Sequence, residues 1–204
     1  MQTPTSRFRR WRAFITLTVT AFATAGGLWC DAIAATHAVR SRFTTIDLKT
    51  CKVVKRHADG NTWNCTGLRG YPVQYAEGDL RAFVSFGPDP AKRRAAQQTL
   101  GAFNTIFEST GRRATVEWRF RRIAGADRPY ATIMRLFTSR DGGKGEVLVV
   151  TRVTVTEACH MAYIDAKATP DAMALARSAA DEMTAQWSCS SAPKVLGATG
   201  KSPM

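Results

Sequence analysis

Thr115-Val116-Glu117-Trp118-Arg119-Phe120-Arg121-Arg122-Ile123 alternates apolar with charged side chains, a period of two that belongs to a strand. Val116, Trp118 and Phe120 fall on one side and Glu117, Arg119 and Arg121 on the other, so the segment reads as a half-buried strand. Downstream, Tyr130 to Phe137 and Glu146 to Thr156 flank the turn-rich Arg140-Asp141-Gly142-Gly143-Lys144-Gly145 and predict a hairpin, with Val147, Val149, Val153 and Val155 on one face. Cys159 to Ala166 reads as a short strand, its alternation grouping Cys159, Met161 and Tyr163. Thr169-Pro170-Asp171 then predicts a helix start with a capping hydroxyl, and the stripe Met173, Ala176, Ala180, Met183 and Trp187 carries the helix to about Trp187.

Upstream, Phe43 to Leu48, Cys51 to Arg56, Thr62 to Cys65, Val73 to Tyr75 and Leu80 to Phe86 read as short antiparallel strands punctuated by glycine-bearing turns. Between the two groups, Pro88-Asp89-Pro90 opens a predicted helix whose stripe is Ala96, Leu100, Phe103 and Phe107, with Gly111 in the position of a left-handed cap. The expected fold is α+β: a single domain over 35–190, with a mostly antiparallel twisted sheet of about six or more strands, two helices and disulfide staples. Residues 191–204, rich in Ala, Gly, Pro, Lys and Ser, read as a flexible C-terminal tail.

The start of the 204-residue chain has the grammar of export. Arg7, Arg9, Arg10 and Arg12 precede an uncharged run from Ala13 to Trp29, and Ala32-Ile33-Ala34 offers a signal-peptidase site, with Ala35 and Ala38 as fallbacks. The run is shorter than the ~20 residues a spanning helix needs and carries Gly26-Gly27. Trp29 is too large to precede a lipoprotein Cys30. Cleavage after Ala34 removes those four arginines and Asp31, leaving 25 cations against 15 anions, a net of +10. The expected location is periplasmic or secreted, with no stable transmembrane segment after cleavage.

Cleavage also removes Cys30 and leaves four cysteines, an even number in an oxidising compartment. Of three possible pairings, Cys51 with Cys65 and Cys159 with Cys189 each bracket one compact unit. In the first, a two-residue Asp59-Gly60 turn would set Cys65 opposite Val54, so opposition to Cys51 demands a loop centred near Ala58 or a bulge.

Motifs for catalysis are missing from the sequence. His37, His57 and His160 are scattered, no C-x-x-C occurs, and neither a nucleophile elbow nor a nucleotide-binding glycine loop is present, so no metal and no cofactor is expected. His160 and Asp165, five residues apart on one strand, are expected on opposite faces; Asp79 with Arg81 is the other polar pair an enzyme could use. Gly67-Leu68-Arg69-Gly70 matches the G-x-x-G of KH domains but follows a strand and joins no helices, so nucleic acid is not the expected partner. Asn64-Cys65-Thr66 is a glycosylation sequon of meaning only in a eukaryotic secretory pathway.

Cations are the one concentrated polar resource. Lys92-Arg93-Arg94 stands in the first turns of the first predicted helix, Arg119 and Arg121 share a strand face, and Arg135 and Arg152 share another if Phe137 pairs with Glu146. Arg119, Arg121, Arg135 and Arg152 are the candidate anion-binding residues, suited to phosphate or carboxylate.

Trp63-x-Cys65-x-Gly67-x-x-Gly70-Tyr71-Pro72-Val73, Asp79-Leu80-Arg81 and the Cys159 to Ala166 segment before a terminal helix resemble uncharacterised exported proteins of alphaproteobacteria. That resemblance implies a shared fold and periplasmic residence and no known activity. The function expected is non-catalytic binding of an anionic envelope partner by a basic sheet face; the alternatives are a small periplasmic enzyme with a cryptic polar site, and an accessory or structural subunit of an envelope complex.

Overall fold

Eleven strands and one α-helix make up the fold, a computed structural model that describes residues 39–109, 111–123 and 125–204. The expected signal segment, Cys30, His37 and the three cleavage candidates lie outside the described residues. The strands are β1 (Arg40–Asp47), β2 (Lys52–His57), β3 (Gly60–Leu68), β4 (Tyr71–Gly78), β5 (Arg81–Phe86), β6 (Phe103–Thr105), β7 (Arg113–Ile123), β8 (Ala126–Arg140), β9 (Gly143–Val153), β10 (Ala158–Asp165) and β11 (Lys194–Leu196); helix α1 spans Ala172–Met183.

Sequence-adjacent strands pair through short turns in a four-stranded sheet β2-β3-β4-β5 and in the β7-β8-β9-β10 run of a larger sheet β1-β7-β8-β9-β10-β11, which β1 and β11 join from distant parts of the chain and to which β6 adds on part of β8. Pairing is antiparallel throughout except for β11 on β10. The sheets stack over a core in which Trp118 is fully buried, edge-on to Phe86 and Tyr71, its indole N–H donating to Thr44 Oγ1 at 2.8 Å. Helix α1 covers the outer face of the larger sheet through Ala176, Ala179 and Ala180, whose small side chains let it lie close to Leu148, Val150 and Met161. Strand β9 is thereby buried on both faces: Val147, Val149 and Val153 face the smaller sheet, Leu148 and Val150 the helix.

Disulfides join Cys51 to Cys65 and Cys159 to Cys189. Two local adjustments reconcile the first with its hairpin. His57 pairs with Gly60, so the turn is Ala58-Asp59, and a bulge at Val54 then aligns Lys52 with Asn64 and brings Cys51 opposite Cys65. Gly60 serves close approach, since a Cβ there would stand 2.2 Å from the Glu77 carbonyl oxygen of β4.

Three expectations are corrected. The first predicted helix is not a helix: Pro90–Lys92 and Arg94–Gln97 are single 3₁₀ turns separated by extended Arg93, and Phe103 belongs to β6. The segment is held by its polar side chains, which satisfy backbone groups at sheet edges. Arg93 donates to the carbonyls of Pro88, Val155 and Thr156, Thr99 to that of Ala82, while Gln98 accepts from His160 N and Asn104 from Ala82 N. These bonds outweigh the modest helical preference of an Ala/Gln-rich stretch.

The second correction concerns residues 191–204, which dock against the sheet. Lys194–Leu196 forms β11, buried Ser202 hydrogen-bonds Asp165 and Glu146, and Met204 packs against the inter-sheet core. Thr169, expected to cap α1, donates instead to the Ala198 carbonyl. The third is a bulge in β10 between His160 and Ala162. It turns Met161 and Ala162 both toward α1 and moves Tyr163 to the His160 side, away from Cys159.

Candidate functional site

The arginine face is the seat of the terminal helix. Arg119 of β7 forks onto Asp181 of α1, with Nε 3.0 Å from Oδ1 and Nη2 on Oδ2, and its Nη1 donates to Ser41 Oγ at 2.6 Å. Arg121 donates to the Asp181 carbonyl at 2.9 Å and lies 4.2 Å from the centroid of the Tyr130 ring, whose hydroxyl donates to the same Asp181 carboxylate. Two residues before Arg119 on the same strand, Glu117 is 3% exposed and accepts from Arg177 of α1 at 2.8 and 3.1 Å and from Ser41 at 2.5 Å.

Burial opposes charge at these sites, and the partners overcome it. Desolvation pulls the Arg119 guanidinium down, yet Asp181 leaves it above its ordinary range; desolvation pushes the Glu117 carboxyl up, yet Arg177 and Ser41 bring it below. Burial, reinforced by Asp181, pushes the Tyr130 phenol up to about 12 and keeps it a donor.

The other two arginines are separate from that cluster. Arg135 pairs with Glu146 across the β8–β9 hairpin; Arg152 donates to the Trp187 carbonyl and pairs with Glu157 at 3.2 Å. Phe137 and Glu146 are cross-strand partners, and the row Arg119, Ala131, Arg152 crosses three strands. All four side chains thus meet internal acceptors, at Asp181, at Glu146, and at Trp187 with Glu157, and do not gather at one point. The outward face of β7 is the contact face of helix α1.

His160 is 4% exposed, and its Nδ1 shares a 2.9 Å hydrogen bond with the Tyr163 hydroxyl. Burial lowers its pKa to about 3 and raises that of Tyr163 to about 12, so both stay neutral. The bulge puts Asp165 on the same side of β10 as His160, contrary to simple alternation, but Asp165 is fully committed elsewhere. Its carboxylate accepts from the backbone N–H groups of Lys167, Ala168, Lys201 and Ser202 and from Ser202 Oγ. Burial pushes that carboxyl up, and these bonds more than reverse the shift. Asp79 and Arg81 form an ion pair at the β4–β5 turn. Gly67 to Gly70 spans the β3–β4 turn, with Leu68 paired to Tyr71 and Gly70 at φ 79°.

No family model, no curated protein and no solved structure matches this chain.

Exposed charge is concentrated elsewhere. Strand β2 is an edge of the smaller sheet, and Lys52, Lys55, Arg56 and His57 along it are all exposed, with no ion pair among the described residues. The turn before it carries exposed Lys49, which lines a surface depression of about 400 Å³ with Arg112 and Arg113. Periodicity alone hides this band, because β2 lacks the clean alternation that drew attention to β7. Among the described residues no group of three or more His, Cys, Asp or Glu is arranged to hold a metal ion, and no helix is long and apolar enough to cross a membrane.

Proposed function

We propose that the protein is a non-catalytic, exported binding protein whose anionic envelope partner is met by the basic band of β2 and its preceding turn, Lys49, Lys52, Lys55 and Arg56, together with Arg112 across the depression from Lys49. The observation that carries this reading is the exposed, unpaired row Lys52, Lys55 and Arg56 on an open sheet edge. Two disulfides, the basic start of the chain and the resemblance to exported proteins support an envelope location. The net +10 of the processed chain gives long-range attraction to phosphate- or carboxylate-bearing surfaces. The internally paired arginines supply rigidity beneath the helix and take no part in the contact.

Cosedimentation of the processed protein with phosphatidylglycerol vesicles tests the reading. Each cation near such a surface contributes ~1 kcal/mol, so replacing Lys52, Lys55 and Arg56 by Gln lowers affinity on the order of 100-fold at low salt and flattens the salt dependence. If the triple variant binds as the parent does but aggregates, these cations merely guard the edge strand and the reading fails.

A further inference from the structure

Where the β4–β5 turn approaches β6, the surface opens into a cavity of about 380 Å³, within the range of small-ligand sites. Its walls are aromatic: Phe103 is 43% exposed there, with Phe137 and the buried ring of Tyr75 beside it. Its ionisable lining is mixed, with the carboxylates of Asp59 and Glu77 and the guanidinium of Arg81.

Arg81 is spoken for. Its Nε and Nη2 donate to the Gly101 carbonyl, at 3.4 and 3.1 Å, and its Nη1 pairs with Asp79. The same guanidinium lies 5.6 Å from the Phe103 centroid, so this ring already receives a cation on one side. Glu77 holds the Tyr75 hydroxyl, and Asp59 accepts the Asp79 N–H at 3.1 Å; both carboxylates retain lone pairs for a further donor. The outcome is a locally acidic, aromatic-walled recess on a strongly basic chain.

Leu80 marks its rim. It is 70% exposed and sits at φ 56°, after Asp79 at φ 49°, in a two-residue turn between Gly78 and Arg81 where glycine or asparagine is the unstrained choice. A branched apolar side chain held in the left-handed region beside a cavity is a local cost without a packing return inside the fold. The turn is tied down by Asn104 N donating to the Leu80 carbonyl at 3.0 Å, which fixes the backbone from which the side chain projects.

The geometry points to a binding site for a small organic cation, an ammonium carried on an apolar or aromatic body. Its charge is met by Glu77 and Asp59, its cationic face by Phe103 and Phe137, and its apolar body by Leu80. An anion is disfavoured because the one guanidinium in the recess has its donors engaged. This site is distinct from the basic band and takes a ligand of opposite charge.

Titration of the processed protein with benzyltrimethylammonium, followed by NMR, tests the assignment, with benzenesulfonate as the anionic control. Saturable shifts confined to Tyr75, Leu80, Phe103 and Phe137, absent with the sulfonate, are expected. Glu77→Gln weakens binding about tenfold or more, and Leu80→Gly weakens it severalfold while thermal stability holds or rises. Should Glu77→Gln perturb the fold, Asp59→Asn and Leu80→Gly carry the test. No saturable shift, preference for the sulfonate, or unchanged affinity in Leu80→Gly together with either acidic variant overturns it.

Discussion

Arg119 and Asp181 lie 62 residues apart in sequence and meet as a two-pronged ion pair that fastens the terminal helix to the second strand of the larger sheet. Arg119 is 9% exposed and Asp181 meets it with both oxygens, while Glu117 stands 3.7 Å away as a second, weaker carboxylate partner. Asp181→Ala strands a buried cation and costs about 3 kcal/mol in denaturant unfolding, more than Arg119→Met, which removes the charge with it. A double-mutant cycle between the two returns a coupling above about 1 kcal/mol; additivity would show the pair to be ornamental.

Acid stability follows from His160. Its folded pKa is depressed to about 3 against an ordinary 6.5, so the unfolded chain binds the extra proton between those values. Stability is therefore full above about pH 6.5 and declines on the order of 4 kcal/mol as pH falls toward 3. His160→Gln flattens that limb in urea titrations across the same window, and an unchanged slope would show that other groups control it.

Asp165 has the opposite origin and the same sign. Hydrogen bonds hold its folded pKa below the ordinary 3.8, so its stabilisation is present above that value and lost as pH falls through the lowered one. Asp165→Asn turns an amide against backbone donors of Lys201 and Ser202 and costs about 2 kcal/mol or more. Hydrogen exchange in 199–204 rises in that variant. Gly145→Ala does the same by steric means, since a Cβ would sit 2.4 Å from Ser202.

Cys159→Ala with Cys189→Ala opens a ring that joins the end of α1 to β10 and costs ~3–4 kcal/mol in the chain-entropy model. Equal stability with and without reductant would contradict this. Because α1 is also held at Arg119 and Arg177, the variant retains helical signal while β11 loses exchange protection.

Much of the framework was legible because strand alternation and cysteine parity are local. Val116, Trp118 and Phe120 face the core, as their spacing implies. What was not legible depended on partners distant in sequence. Ala96 to Phe107 carries a helical stripe, yet Asn104, Gln98 and Arg93 find backbone groups on β5, on β10 and in the β9–β10 loop that no local window on the sequence contains. The bulge at Met161 leaves no residue signature and reverses the alternation beyond it. The arginine cluster was visible in sequence but its internal partner was not, since only the docked helix supplies Asp181. The recess at Leu80 rests on a turn conformation that Asp-Leu does not announce.

Strand β9 separates two interiors at a thickness of one residue. Val149 and Val150 are neighbours in the chain, but the first reports on the sheet-to-sheet core and the second on the helix-to-sheet core. Isotope labels at these adjacent methyl groups would therefore act as a differential gauge, able to register loosening under the helix while the opposite interior stays rigid, within a single peptide unit.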